Sequence, residues 1–185
     1  MKPRALLYLI KRASLIANAG LERHASFVET VCERVGALVP FRIFGEPDDP
    51  YLGRHYLFRK SWAPRVVREY LPSFYLHYFF RGDQDVELHN HPWKISFSLI
   101  LTNGYVEERR TPAGIVRRVL KPGSINVIRE SDYHRVKLID PTKGAWTLFV
   151  AGSRVNDDWT FWHPIEGRIT NWQEFVKQRT HIAAA

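Results

Sequence analysis

Ile95-Ser-Phe-Ser-Leu-Ile-Leu101 alternates its side chains, turns at Asn103-Gly104, and runs on as a second strand-like segment over 105–110. Alternation closed by Asn-Gly is a hairpin signal, because a tight turn needs residues that tolerate positive φ. The same pattern continues outward. Thr111-Pro-Ala-Gly114 is a turn before the segment 115–120, and Lys121-Pro-Gly123 is another before 125–128. Segments 133–139 and 146–151 complete the series downstream, and the aromatic run Tyr75-Leu-His-Tyr-Phe-Phe80 precedes it. Seven or eight short strands with regular turns predict an all-β core, a sandwich or small barrel of antiparallel strands.

Three histidines lie in this core. His89 and His91 are two residues apart, so an extended chain points both to one face. In the segment 133–139, His134 alternates in phase with Val136 and Leu138, while Arg135 and Lys137 take the other phase. His134 is therefore expected to face inward. Three imidazoles on one inner face suit a first-row metal and leave open positions for water, dioxygen or substrate. Burying them unpaired strands polar nitrogens at about 1–3 kcal/mol each. The plainer reading is a chance His-x-His and a hydrogen-bonded core histidine.

Leu88-His89-Asn90-His91-Pro92-Trp93 followed by Gly104, and Pro122-Gly123 followed by His134, resemble the two motifs of the cupin superfamily. More narrowly, the stretch looks like an uncharacterised group of phage and bacterial cupins. That likeness rests also on Tyr75-Leu-His77, Arg81-Gly-Asp, Ser-Leu-Ile-Leu101, Gly104-Tyr-Val-Glu-Glu108, Tyr-His-Arg135 and Trp-Thr-Leu-Phe149, and spans less than half of the chain. The resemblance implies a cupin-type jelly-roll barrel with metal on His89, His91 and His134. It departs at one point. The family's glutamate ligand falls near 95–98, where this chain has Ile95, Ser96, Phe97 and Ser98. The implied ligand set is then three histidines, as in cupins resembling the thiol dioxygenases.

Other residues are candidates for the substrate side. Arg81 is a candidate carboxylate clamp, set against an ion pair with Asp83 or Asp85. Trp93 is a candidate pocket wall, Ser98 a cavity-lining hydroxyl and Tyr105 a phenol donor. Glu107 is a candidate inward carboxylate, set against a solvated strand face paired with Arg109, Arg110, Arg117 or Arg118. His77 is a candidate donor behind the ligands, set against a core histidine. Three neutral ligands leave the metal its full charge, which suits a small anionic substrate. Fe(II) is preferred from the family analogy, with Zn, Ni or Mn as Lewis-acid alternatives that ligand type alone does not separate. The expected function is a mononuclear metal cupin, of the Fe(II)-dependent dioxygenase type. The alternatives are a non-catalytic metal- or ligand-binding module and an isomerase-type cupin.

The chain has 185 residues, room for one domain in three parts: a peripheral layer over 1–70, the barrel core over 71–152 and a C-terminal flap over 153–185. Leu6, Leu9, Ile10, Ala13 and Ile16 predict a helix ending at Gly20, and Leu21, Ala25, Val28, Cys32 and Val35 a second one closed by Pro40. Lys11 and Arg12 break the apolar run too early for an export signal, so a cytoplasmic location is expected. A single cysteine, Cys32, excludes an internal disulfide framework and a multi-cysteine zinc site. Net charge is +8, which favours an anionic partner. The basic residues are scattered, so nucleic acid is not the expected partner. No apolar run reaches membrane-spanning length. The flap carries Trp159, Phe161, Trp162 and Trp172, with a short helix starting near Asn171. Open strand edges favour a homodimer.

Overall fold

The computed structural model describes residues 20, 21, 23–156 and 158–183. The first predicted helix lies outside the described residues. Among them, twelve strands form two six-stranded antiparallel sheets. The first sheet has the order β1-β2-β3-β10-β5-β8. Its members are β1 (Phe41–Glu46), β2 (Asp49–Phe58), β3 (Ser73–Phe79), β10 (Ala145–Ala151), β5 (Ile95–Ile100) and β8 (Ile125–Arg129). The second has the order β12-β11-β4-β9-β6-β7. It comprises β12 (Ile169–Asn171), β11 (Thr160–Trp162), β4 (Leu88–His89), β9 (His134–Leu138), β6 (Tyr105–Thr111) and β7 (Gly114–Leu120). Two antiparallel sheets whose neighbours are largely non-consecutive in the chain form a cupin-type jelly roll.

Two strand groups lie outside the core segments: β2 matches the short strand that 51–60 suggests, whereas β1, β11 and β12 go beyond the expected series. β1 and β2 fall in the region read as a peripheral layer, yet they extend the first sheet through β3. Their alternation is masked because β1 is largely exposed and β2 is half-buried on both faces. β11 and β12 fall in the expected flap. They are three residues each, too short to show a period, but β11 pairs with β4 and so belongs to the sheet beside the histidines.

The core fills the space between the sheets. Ile100, Tyr105, Leu120, Val136, Leu138 and Ala145 form one cluster, and Tyr75, Ile128, Phe149 and Ala151 form another. Helix α1 (Ala25–Leu38) covers the outer face of the first sheet, where Cys32 packs on Leu76 and Trp146. Burial pushes the Cys32 thiol up to about 11, helped by Glu29 and Glu33, which fits an inert structural cysteine. Gly36 lets the helix come close: a Cβ there would meet the His55 ring at 3.1 Å. Helix α2 (Trp172–Ala183) is capped by Asn171, whose Oδ1 accepts from the Glu174 N–H at 2.8 Å. Its Phe175 stacks on Phe161 at 3.8 Å.

The chain turns at Asn103-Gly104, with φ of 54° and 98°, but the expected hairpin does not form: β5 pairs with β10 and β8, and β6 with β7 and β9, so the turn carries the chain from one sheet to the other. A Cβ on Gly104 would also fall on the Leu120 carbonyl oxygen. Gly104→Ala is expected to destabilise the fold by about 2–4 kcal/mol, from strain at positive φ plus a backbone clash. Chemical denaturation checks this, and an unchanged midpoint contradicts it.

Candidate metal centre

β4 is only two residues long, yet it places both neighbouring histidines. His89 is the direct cross-strand partner of His134 on β9 and of Phe161 on β11. Directly opposed residues of an antiparallel pair share a face. The next residue, Asn90, turns the other way and is tied on three sides. Its Nδ2 donates to the Glu130 carbonyl at 3.0 Å, and its Oδ1 accepts from the Thr160 N–H at 2.7 Å and hydroxyl at 3.2 Å. This clamp lets His91 return to the inner face although the strand has ended. Pro92 is buried, and its carbonyl accepts from the Val155 N–H at 2.9 Å.

The three rings form a near-equilateral triangle. Centroid separations are 5.2 Å for His89–His91, 5.0 Å for His89–His134 and 5.1 Å for His91–His134. One nitrogen from each lies within 4.8 Å of the others. His134 is buried, while His89 and His91 are half-buried, so the group opens on one side. Burial pushes His89 down to about 4 against the pull of Asp83, with His134 adding to the fall. Burial also holds His91 well below the usual imidazole range, with His134 and His89 beside it. Both are therefore neutral at pH 7, the form in which imidazole ligates.

Glu107 orients the third ring. Its carboxylate is fully buried and takes hydrogen bonds from His134 Nδ1 at 2.9 Å, Arg109 Nη2 at 2.8 Å and Asn126 Nδ2 at 2.9 Å, and pairs with Arg118. Burial alone would raise its pKa, but His134 and Arg109 outweigh that and hold it well below the carboxylate range. An ionised carboxylate only accepts, so the proton sits on His134 Nδ1. In the neutral ring, Nε2 then turns a lone pair inward, 2.9 Å from His91 Nε2. Two nitrogens sharing a metal at about 2.1 Å lie roughly 3.0–3.4 Å apart. The donor set and its tautomer thus fit a divalent transition metal, and the His91–His134 separation is close to that range.

The remaining candidates are placed as follows. Glu107 is neither on a solvated face nor turned to the cavity as a free carboxylate, because its oxygens are engaged by the donors above. Ser98 and Tyr105 are buried and join the same polar network, with Asn126 Nδ2 donating to the Tyr105 hydroxyl at 3.3 Å. Trp93 stacks on His91 at 5.7 Å and packs on Phe149 at 5.5 Å, so it walls the group. Arg81 is not brought to the histidines. It pairs with Asp49 at 2.8 Å, which the β1–β2 turn carries to it. His77 lies on the inner face of β3 and stacks on Phe149 at 4.9 Å. Its hydrogen bond goes to Arg54 and not to the three histidines. His163, within the segment expected as a flap, is buried, with Nε2 2.8 Å from the Thr170 hydroxyl.

Several basic residues of β6, β7 and β9 are matched by carboxylates. Arg117 and Arg135 pair with Glu108, and Arg109 pairs with Glu107 and Asp132. No helix among the described residues is long and apolar enough to cross a membrane.

Fold and site together define a cupin-type jelly roll holding a three-histidine group suited to a metal ion. No protein-family model matches the chain, and no curated protein matches it. Solved structures give distant likenesses. Hydroxypropylphosphonic acid epoxidase from S. wedmorenis is 12% identical at a TM-score of 0.45, over 60% of this chain and 55% of its own. HEPD from Streptomyces albus, with 2-hydroxyethylphosphonate and Fe(II) bound, is 12% identical at 0.49, over 64% and 25%. The capsular polysaccharide assembling protein CapF from Staphylococcus aureus is 11% identical at 0.45, over 71% and 31%. The chain therefore spans less than two thirds of the length of each.

Proposed function

We propose that the protein is a mononuclear metal cupin in which His89, His91 and His134 hold one divalent ion, Fe(II) in preference to Zn, Ni or Mn, and that it is a dioxygenase-type enzyme acting on a small anionic substrate. The observation that carries this reading is the His91 Nε2–His134 Nε2 approach of 2.9 Å, with His134 Nδ1 committed to Glu107. When bound, Fe(II) supplies dioxygen chemistry and a Lewis-acid charge.

The chain's own residues supply the rest. Glu107 keeps the proton on Nδ1 of His134, so that ring presents Nε2 to the ion. Arg109, Arg118 and Asn126 keep that carboxylate in place. Trp93, Phe149 and Phe161 surround the rings with apolar surface that excludes bulk water from one side. The half-buried edges of His89 and His91 leave the other side open to a ligand. No ligating carboxylate offsets the ion's charge, which favours an anionic substrate.

The test is oxygen consumption by Fe(II)-reconstituted protein challenged with a panel of small carboxylic, sulfonic and phosphonic acids. Uptake that requires Fe(II) and one acid class supports the enzyme. Tight binding of an acid that is recovered intact after long aerobic incubation supports the non-catalytic module instead.

A further inference from the structure

We infer that Arg54, assisted by Arg42, forms an anion-binding subsite beside the three histidines and takes the acid group (carboxylate, phosphonate or phosphate) of the small molecule that the centre acts on. The role in substrate recognition rests on the metal reading above; the anion site itself does not.

The first observation is a charge conflict. The β1–β2 register sets Arg42 directly opposite Arg54. Opposed residues of an antiparallel pair project to one face, and like charges there repel. Among the described residues, neither guanidinium has a carboxylate partner. The arginines around the histidines differ: Arg109, Arg118 and Arg135 are each matched by Glu107, Glu108 or Asp132.

The second observation is the setting of Arg54. It is half-buried, and its cross-strand partner on β3 is His77. Its Nε donates to His77 Nε2 at 3.1 Å, so both Nη groups have no acceptor among the described residues. The guanidinium carbon lies 4.9 Å from the Phe44 ring, 5.2 Å from Tyr75 and 6.0 Å from Trp93. Arg42 approaches the other partner of that cage, with its carbon 5.0 Å from Phe44. Aromatic faces fix a guanidinium and remove water from it, but they do not neutralise it. What is left is a planar fork with two unused donor groups, which matches the two oxygens of an acid.

The third observation is position. Trp93, against which Arg54 lies, stacks on His91 at 5.7 Å and 22°. His77, which Arg54 holds, stacks on Phe149, and Phe149 lies 5.8 Å from His91. One aromatic layer separates the fork from a metal-ligating ring. A small bifunctional acid fits that spacing, with its acid group on Arg54 and its second polar group toward the histidines. The clamp expected at Arg81 is thereby supplied from a different strand.

The test is calorimetric titration of the metal-free and the Zn(II)-loaded chain with methylphosphonate, inorganic phosphate and propionate at low ionic strength. At least one is expected to bind saturably to the metal-free protein. Arg54→Gln is expected to weaken that binding about tenfold or more, Arg54→Lys less, because an ammonium lacks the fork. Arg42→Gln is expected to weaken it roughly threefold while raising the thermal midpoint of the anion-free protein. Arg81→Gln is the unaffected control. If Arg54→Gln does not fold, Arg54→Lys and Arg42→Gln decide the matter. Equal affinity across wild type and variants, or no anion binding to the wild type, overturns the subsite. Zn(II) binding without anion binding would leave the metal reading standing alone, and anion binding without Zn(II) binding would do the reverse.

Discussion

His134→Ala is expected to abolish stoichiometric metal binding, weakening affinity by at least about a hundredfold. That figure is the upper end of what losing a mere orienting partner costs a metal site, and His134 is placed as a ligand. The fold is expected to survive. Without the imidazole, Glu107 keeps Arg109, Arg118 and Asn126 as partners, so no charge is left unmatched. The measurement is a Co(II) or Zn(II) titration of wild type and variant, with circular dichroism to verify folding. Retained affinity in a folded variant would remove His134 from the ligand set.

Glu107→Ala is expected to have the opposite profile, with the larger loss in stability. The carboxylate is fully buried and faces two guanidiniums, a carboxamide and an imidazole. Removing one member of a buried charged group while leaving the others costs about 3–5 kcal/mol. For a chain of this size that lowers the midpoint by about 10 °C. The milder Glu107→Gln keeps the shape but cannot oppose the two positive charges, nor accept from all its donors at once. It is expected to weaken metal binding by about 10–100-fold, because Nδ1 of His134 is no longer held to one tautomer. Metal affinity equal to wild type in a folded Glu107→Gln would show that Glu107 is structural support alone.

The contrast between these two residues shows what the sequence made legible. His134 could be assigned an inward face because Val136 and Leu138 share its phase while Arg135 and Lys137 do not. His89 and His91 could be paired by their spacing of two. Glu107 offered no such cue. On β6 its own phase contains Tyr105 and Arg109, and the other contains Val106, Glu108 and Arg110, so both faces look equally polar. Only the register with β9 and β7, which sets Glu107 against Val136 and Arg118, puts it inside. Charged residues on the inner face of a strand defeat hydrophobic patterning wherever they satisfy one another.

Arg54 escaped notice for a related reason. Strand patterning treats an arginine as a marker of the solvent side. Here Leu52, Arg54 and Tyr56 share the phase that meets Phe79, His77 and Tyr75 on β3. The segment 41–58 belongs to a stretch of weak alternation, in which 51–60 suggests a short strand but nothing local reveals the long-range pairing that makes it part of the sheet. Arg81 shows the converse. Its nearby aspartates suggested a local pair, whereas the β1–β2 turn brings Asp49 from a distant part of the chain. The three-histidine group was readable because its cues are local, and its surroundings were not because they depend on register between distant strands.

The most direct measurement is X-ray absorption at the edge of the metal that accompanies protein purified without a histidine tag. We expect about one divalent ion per chain with three imidazole nitrogens at roughly 2.0–2.2 Å, and loss of that signal in His134→Ala. An absent metal that cannot be restored by reconstitution, a coordination shell with fewer than three imidazoles, or an unchanged spectrum in the variant would contradict the account.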